Sequence, residues 1–495
     1  MKALPPSGKS ANPHFRTLTM NDLTIITTAS IALPEAPFRG RHFIDGAWCD
    51  SANGETFERV SPSHGVVVSR SAKGGRDDAE RAIAAARKAF DASIWSRISG
   101  KERATVLLKV ADLIEANVER MAILETLESG KPISQARDAR RRAEGADRRR
   151  LDHHAVELPL LDPEPKASLR ACRRLHLCRQ AVRNDAVDDG HAGRSSHRGR
   201  ASCGVVNIVL GFGQPVGQVM AEHAHVDMVT FTGSTAVGKA IMAAASGTLK
   251  KVALELGGKN PQVIFPDADL DSAADAVTFG VYFNAGECCN SGSRIIVHED
   301  IAEAFVARVV ALSKKVAFGD PLNPDTQVGA IISSAHLEKI DDYVRAAVAA
   351  GAKVQLGGGV LPIAELPGRF YKPTVVTGVT SDMPIAREEV FGPVLSVLTF
   401  RTLEEAIDLV NDASYGLSAG VWSENVHTCL EFSRRVQVGT VWTNTWMDGF
   451  PELTFGGFKQ SGQGREIGPY GLDEFLEVKT VVMRVGRTRP NWVRS

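Results

Sequence analysis

Four short apolar runs, Val205–Leu210, Met228–Thr232, Val252–Leu256 and Val263–Phe265, constrain the fold of this chain more than any other feature. Each is bounded by Gly, Asp or Pro, and helical patterns separate several of them. Strands covered by helices on both faces read as continuous apolar runs, so the pattern points to a parallel α/β sheet. A second α/β region follows from about Leu270 to Thr443. Upstream, residues 41–70 alternate apolar and polar around Asp45-Gly46 and Ser51-Ala52-Asn53-Gly54, which predicts strand hairpins. Asp77–Ala92 and Lys101–Ser129 carry a helical period, and Gly130-Lys131-Pro132 predicts a helix end. The tail Glu474–Arg484 alternates like a closing strand able to pair with another chain.

At 495 residues the chain exceeds a single core, so two or three domains are expected. Zero formal net charge argues against a nucleic-acid or membrane-surface partner. No apolar run approaches the roughly 18 residues of a spanning helix. The seven cysteines are odd in number and irregularly spaced, which reads as reduced thiols of a cytoplasmic protein. The first nineteen residues hold no apolar segment, so no secretory signal is expected there, and Met20 is a candidate start. The folded pattern begins near Arg41.

Chemistry concentrates in a few motifs. Val281-Tyr282-Phe283-Asn284-Ala285-Gly286-Glu287-Cys288-Cys289-Asn290 puts cysteines in a polar, glycine-containing loop. Cys289 stands 34 positions after Glu255, which lies in Leu254-Glu255-Leu256-Gly257-Gly258-Lys259-Asn260-Pro261. A thiol in an exposed turn and a carboxylate on a glycine turn suit covalent catalysis at a carbonyl. Alone, such a cysteine is more often an inert buried thiol, and such a glutamate an ordinary strand-end charge. Phe231-Thr232-Gly233-Ser234-Thr235-Ala236-Val237-Gly238 follows a strand and opens a helix, offering backbone amides and a positive dipole to a pyrophosphate. Glu389-Val390-Phe391-Gly392-Pro393 and Phe455-Gly456-Gly457-Phe458-Lys459 complete the set.

Together these motifs resemble the aldehyde dehydrogenase superfamily, over roughly residues 41–136 and 204–484. The resemblance implies a Rossmann-type parallel-sheet cofactor domain, an α/β catalytic domain and a small oligomerisation element. It assigns 1–40 to an extended or disordered segment, 41–256 to the NAD(P)-binding domain and 257–445 to the catalytic domain. Residues 446–495 return to the cofactor domain and form an oligomerisation tail. It implies oxidation of an aldehyde to an acid by a homodimer or homotetramer that uses NAD, or NADP, and no metal. Cys289 is then the nucleophile, Cys288 a packing neighbour and Glu255 the base that activates the hydrolytic water. Gly233 and Ser234 hold the phosphates, Glu389 the nicotinamide ribose and Phe391 the nicotinamide ring, with Leu256 a further cofactor contact. Glu466 is read as orienting water or as a structural ion-pair member, and Lys259 and Arg294 as structural. Trp446-Met447-Asp448-Gly449 hints at small polar or amino-aldehydes.

One segment breaks the pattern. Between Arg137 and Arg200 lie fifteen arginines, five histidines and two cysteines, with little apolar periodicity. A solvated linker or a nucleic-acid patch would account for the charge alone. Codons read one nucleotide later offer a more specific account. Val156-Glu157-Leu158-Pro159 then permits Trp-Asn-Phe-Pro, and Gln180–Ala186 permits Lys-Pro-Ser-Glu-Met-Thr-Pro. Asp147–Ala155 and Arg198–Cys203 permit two more motifs of the same family, in order, leading into Gly204. The stretch 139–203 therefore reads as out of frame, and the chain as shortened before it. As it stands it lacks the asparagine that would be the second oxyanion donor, the lysine and glutamate of an adenosine-ribose clamp, and an assembly hairpin. The out-of-frame glutamate points to NAD, since it would accept from the ribose 2′-OH and repel a 2′-phosphate. Two alternatives remain at this level: an impaired relic that at most binds nucleotide, and a CoA-acylating semialdehyde dehydrogenase, against which Glu255 argues.

Overall fold

The computed structural model describes residues 23–29, 31–138, 203–450 and 452–485. The out-of-frame reading of 139–203, the Trp-Asn-Phe-Pro position and Met20 lie outside these residues, apart from Cys203.

The predicted parallel α/β unit forms around Met228–Thr232 and Lys251–Glu255, which pair in parallel through the helix Thr235–Ala245. Gly462–Gln463 adds an antiparallel edge to the second of these strands, with Gly462 opposite Glu255. A small core of Val229, Phe231, Ile241, Leu254 and Leu256 holds helix to sheet.

The larger sheet has seven strands. In spatial order these are Lys353–Leu356, Thr374–Thr377, Val394–Phe400, Arg294–His298, Pro261–Ile264, Ser418–Trp422 and Thr440–Thr443. All neighbours run parallel except the first pair, which is antiparallel at one edge. The central strands are buried on both faces, so Ile295, Ile296, Val263 and Ile264 read as unbroken apolar runs. The helix Leu270–Tyr282 covers this sheet and is capped by Asp269, whose side chain accepts from Asp271 and Ser272 amides.

The first hairpin follows local turn chemistry. His42–Ile44 and Ala47–Cys49 pair antiparallel across Asp45-Gly46, both at positive φ, as a two-residue turn matched to strand twist requires. Thr56–Val60 and Val67–Ala72 pair antiparallel as well.

Four expectations are corrected. Lys101–Ser129 is two helices, Gly100–Ala116 and Val118–Ser129, broken at Asn117, whose side chain donates to the Leu113 carbonyl. Among the described residues Val205–Leu210 forms no strand; only Ile208 bridges, exchanging two backbone hydrogen bonds with Phe43. Glu474–Arg484 makes no strand, and Val478, Val481, Val482 and Met483 are exposed along it. Ordered structure also begins before Arg41. Thr24–Ile26 pairs in parallel with Ala317–Gly319, where a side chain at Gly319 would overlap the Ile26 carbonyl.

Candidate active site

Glu255 ends its strand at the junction of three segments. Opposite it stand Thr232 on one side and Gly462 on the other. Its carbonyl accepts from the Gly233 amide at 3.0 Å, tying the predicted base to the predicted nucleotide turn. The side chain is 5% exposed. Its Oε1 lies where a Cβ on Gly456 would come within 2.8 Å, so this C-terminal glycine leaves room for the carboxylate. Ser461 locks the far wall, donating to the Gly257 carbonyl and accepting from the Gly416 amide.

The two glycines after Glu255 are explained by what occupies their side-chain positions. A Cβ on Gly257 would come within 2.6 Å of the Glu389 carboxylate, and one on Gly258 within 2.8 Å of the Cys289 carbonyl. Glu389 also accepts from the Gly258 amide at 3.1 Å. Thus Glu255, Cys289 and Glu389, far apart in sequence, converge on one four-residue turn.

Cys288 and Cys289 are both half-buried. The loop that carries them leaves the helix Leu270–Tyr282 through three consecutive left-handed residues, Asn284, Ala285 and Gly286, with φ of 52°, 58° and 74°. Gly286 is required there, because a Cβ would overlap the Gly392 carbonyl. Beyond the cysteines, Asn260 fastens the loop to the sheet. Its Nδ2 donates to the Cys289 carbonyl at 2.7 Å and the Ser291 carbonyl at 3.0 Å, while its Oδ1 accepts from the Ser418 amide at 3.1 Å. This role escaped the sequence reading, although Asn260 stands inside the quoted motif.

The predicted nucleotide turn has the expected form. Ser234 caps the helix Thr235–Ala245, accepting from the Val237 amide, and Gly233 precedes it. Gly238 lets Leu256 pack against the helix within what a Cβ would occupy, 2.6 Å away. Leu256 is 6% exposed and belongs to the core beneath the turn, so it supports the helix from below. Phe391 is half-buried at a φ of 59°, its carbonyl accepting from His336 Nε2 at 2.7 Å. A left-handed phenylalanine is strained, and His336 is part of what holds it.

Lys259 is buried behind the same turn, and its Nζ has no hydrogen-bond partner among the described residues. Burial, reinforced by the nearby Arg294 charge, pushes its ammonium down to about 7. Burial likewise lowers Arg294 to about 10. Glu466 pairs backbone to backbone with Phe455 and receives a long hydrogen bond from Thr232, at 3.5 Å.

A cavity of about 830 Å³ borders the cysteine loop, lined in part by Gln135, Phe279, Phe283 and Met447. Of the segment Trp446–Gly449 only Met447 lines it. Trp446 is 4% exposed, its indole filling the space left by Gly280, Gly292 and Gly420. That tryptophan is a packing residue under the cysteine loop. No group of three or more His, Cys, Asp or Glu able to hold a metal occurs among the described residues.

The aldehyde dehydrogenase family model matches residues 48–148 and 201–481. The chain belongs to the aldehyde dehydrogenase family. The first matched segment runs into the start of the arginine-rich stretch, and the two leave 149–200 between them. Among curated relatives, a betaine aldehyde dehydrogenase of Bacillus subtilis (strain 168) is 37% identical, covering 92% of this chain and 99% of its own. The mitochondrial aldehyde dehydrogenase of Homo sapiens is 37% identical, over 90% of this chain and 92% of its own. A crystal structure of an NAD-dependent aldehyde dehydrogenase from Sinorhizobium meliloti superposes with a TM-score of 0.86 at 41% identity, covering 96% of this chain and all (100%) of that one. The P. syringae indole-3-acetaldehyde dehydrogenase, solved with NAD+, superposes with a TM-score of 0.82 at 32% identity over 91% of this chain and 98% of its own. Membership makes the protein an oxidoreductase of the class that converts aldehydes to acids.

Proposed function

We propose that the protein oxidises an aldehyde to its carboxylic acid with NAD, using Cys289 as nucleophile and Glu255 as base. The observation that carries the reading is the convergence of Cys289, Glu255 and Glu389 on the turn Glu255–Gly258, beside the glycine turn at Gly233. The residues fit the cofactor. Ser234 opens a helix whose first amides and dipole suit a pyrophosphate. Glu389, fixed by the Gly258 amide, is a carboxylate acceptor suited to a ribose hydroxyl. Phe391 would pack on the nicotinamide, and Leu256, whose side chain supports the turn beneath, would be a further cofactor contact. NAD, when bound, supplies the hydride acceptor.

The chain's own residues then act in sequence. The Cys289 sulfur forms a bond to the aldehyde carbon, and the carbonyl oxygen takes the electron pair as an oxyanion. The Cys289 backbone amide is one donor to that oxyanion. After oxidation the acyl group stays on sulfur as a thioester. Glu255 takes a proton from water, which attacks the thioester and releases the acid with return of the thiolate. Acyl transfer to CoA would leave Glu255 without a task, so hydrolysis is the preferred outcome. The cavity at the start of the cysteine loop, lined by Phe279, Phe283 and Met447 together with Asp138, Asp275 and Lys315, is the candidate access route for the aldehyde.

The same reading assigns 41–256 to the cofactor domain and 257–445 to the catalytic domain, in a cytoplasmic homo-oligomer. The exposed apolar side chains of Leu476, Val478, Val481, Val482 and Met483 support assembly through the tail. The test is substitution: Cys289→Ala should abolish aldehyde-dependent NADH formation, and Cys288→Ala should leave most of it. Equal losses would overturn the assignment.

A further inference from the structure

We infer that Gln135 is a positioning residue that clamps the cysteine loop in its left-handed turn. The inference rests on the reading of Cys289 as the nucleophile. Gln135 lies in helical residues 133–138, 154 positions before Cys289 and in no motif of the catalytic machinery. Its Oε1 accepts from the Asn284 backbone amide at 3.1 Å, and its Nε2 donates to the Gln327 carbonyl at 2.7 Å. One side-chain amide thus bridges the start of the cysteine loop to the segment after Ala317–Gly319. Gln327 is itself anchored, its backbone amide donating to the Ala317 carbonyl and its Oε1 accepting from the Ala317 amide.

The bridge falls where the loop most needs restraint. Asn284 and Ala285 both carry positive φ without being glycine. For Ala285 that conformation brings Cβ against the following carbonyl and is disfavoured unless the surroundings impose it. Other bonds act on the same loop. Asn284 Nδ2 donates to the Glu287 carbonyl, the Glu287 amide returns a bond to the Asn284 carbonyl, and the Ile332 amide reaches Glu287 Oε1. Gln135 is the side chain that holds the Asn284 amide itself. Releasing it lets the turn relax toward right-handed conformations, which shifts the position of Cys289 five residues on.

The experiment compares the full chain with Gln135→Ala, Gln135→Glu and the double variant Gln135→Ala/Ala285→Gly. Native-state hydrogen exchange is read at the Asn284 amide, and iodoacetamide labelling is read as the ratio of Cys289 to Cys288 by peptide mass spectrometry. Loss of one neutral hydrogen bond corresponds to about threefold to tenfold. Gln135→Ala should speed Asn284 exchange by that factor and lower the labelling ratio similarly. Gln135→Glu keeps the acceptor facing Asn284 and gives up the donor to Gln327, so it should retain most of both signals. Adding Ala285→Gly removes the Cβ penalty of the left-handed turn and should restore part of the ratio, which a merely structural role for Gln135 would not do. Unchanged exchange or an unchanged ratio in Gln135→Ala overturns the clamp, as does equal loss in the glutamate variant. A wild-type chain in which Cys289 labels no faster than Cys288 instead counts against the catalytic reading, and the exchange data still judge the clamp.

Discussion

Asn260→Ala tests the geometry of the site through a residue that touches no reacting atom. Asn260 is 1% exposed and makes three hydrogen bonds, to the Cys289 carbonyl, the Ser291 carbonyl and the Ser418 amide. Alanine leaves all three backbone groups without that partner, two of the bonds being fully buried. A buried polar group left unsatisfied costs about 1–3 kcal/mol, so the loss should be about 2–6 kcal/mol. That is a large share of the roughly 5–15 kcal/mol that holds an ordinary domain together. Asn260→Asp keeps the acceptor for Ser418 but sets a carboxylate against two carbonyl oxygens, and should be no better tolerated. The assay is urea unfolding followed by tryptophan fluorescence, since Trp446 packs against Gly292 in the same loop. Iodoacetamide labelling of Cys289 runs in parallel. A destabilisation below about 1 kcal/mol, with labelling unchanged, would refute the claim that Asn260 fastens the loop to the sheet.

Two further outcomes follow from the buried lysine and from the reading of residues 139–203 as out of frame. Lys259 holds its proton to about 10.5 in the unfolded chain but only to about 7 in the folded one, so between those values the unfolded state binds more protons. Stability should therefore rise with pH across that window, by at most about 1.4 kcal/mol per pH unit from this group, and Lys259→Met should flatten the rise. Urea midpoints at about pH 7 and about pH 9 measure it, and an equal rise in the variant would remove Lys259 as the cause. Restoring the reading frame across residues 139–203 should raise aldehyde oxidation by about 10²–10³, the worth of one oxyanion donor, when the two chains are assayed side by side. Comparable specific activity would return a native role to the basic segment.

What the sequence made legible is what local geometry demands. Asp45-Gly46 announces a two-residue hairpin because both residues must take positive φ, and they do. The apolar runs at Met228–Thr232 and Val252–Leu256 become parallel strands, the second as Lys251–Glu255, because helices cover them. The Gly257-Gly258 pair was visible as a motif, but its cause was not. It takes the folded chain to bring Glu389 and the Cys289 carbonyl into the two empty side-chain positions. Val205–Leu210 looked like a strand from composition, yet among the described residues its one bridge is from Ile208 to Phe43. The break at Asn117 depends on one side chain competing for the Leu113 carbonyl, which no periodicity records. Asn260, His336 and Gln135 act across 29, 55 and 149 positions on the Cys289 carbonyl, the Phe391 carbonyl and the Asn284 amide. Such long-range bonds leave no spacing signal in a single sequence.

The central claim is that Cys289 carries the acyl group and Glu255 releases it. Trapping tests both roles together. The Glu255→Gln protein is incubated with NAD+ and a short aliphatic aldehyde, then digested and mapped by mass spectrometry. Acylation precedes hydrolysis, so NADH should form in a burst without steady turnover, and the acyl group should accumulate on Cys289. A digest with no acyl adduct, or with the adduct on Cys288, would contradict the account.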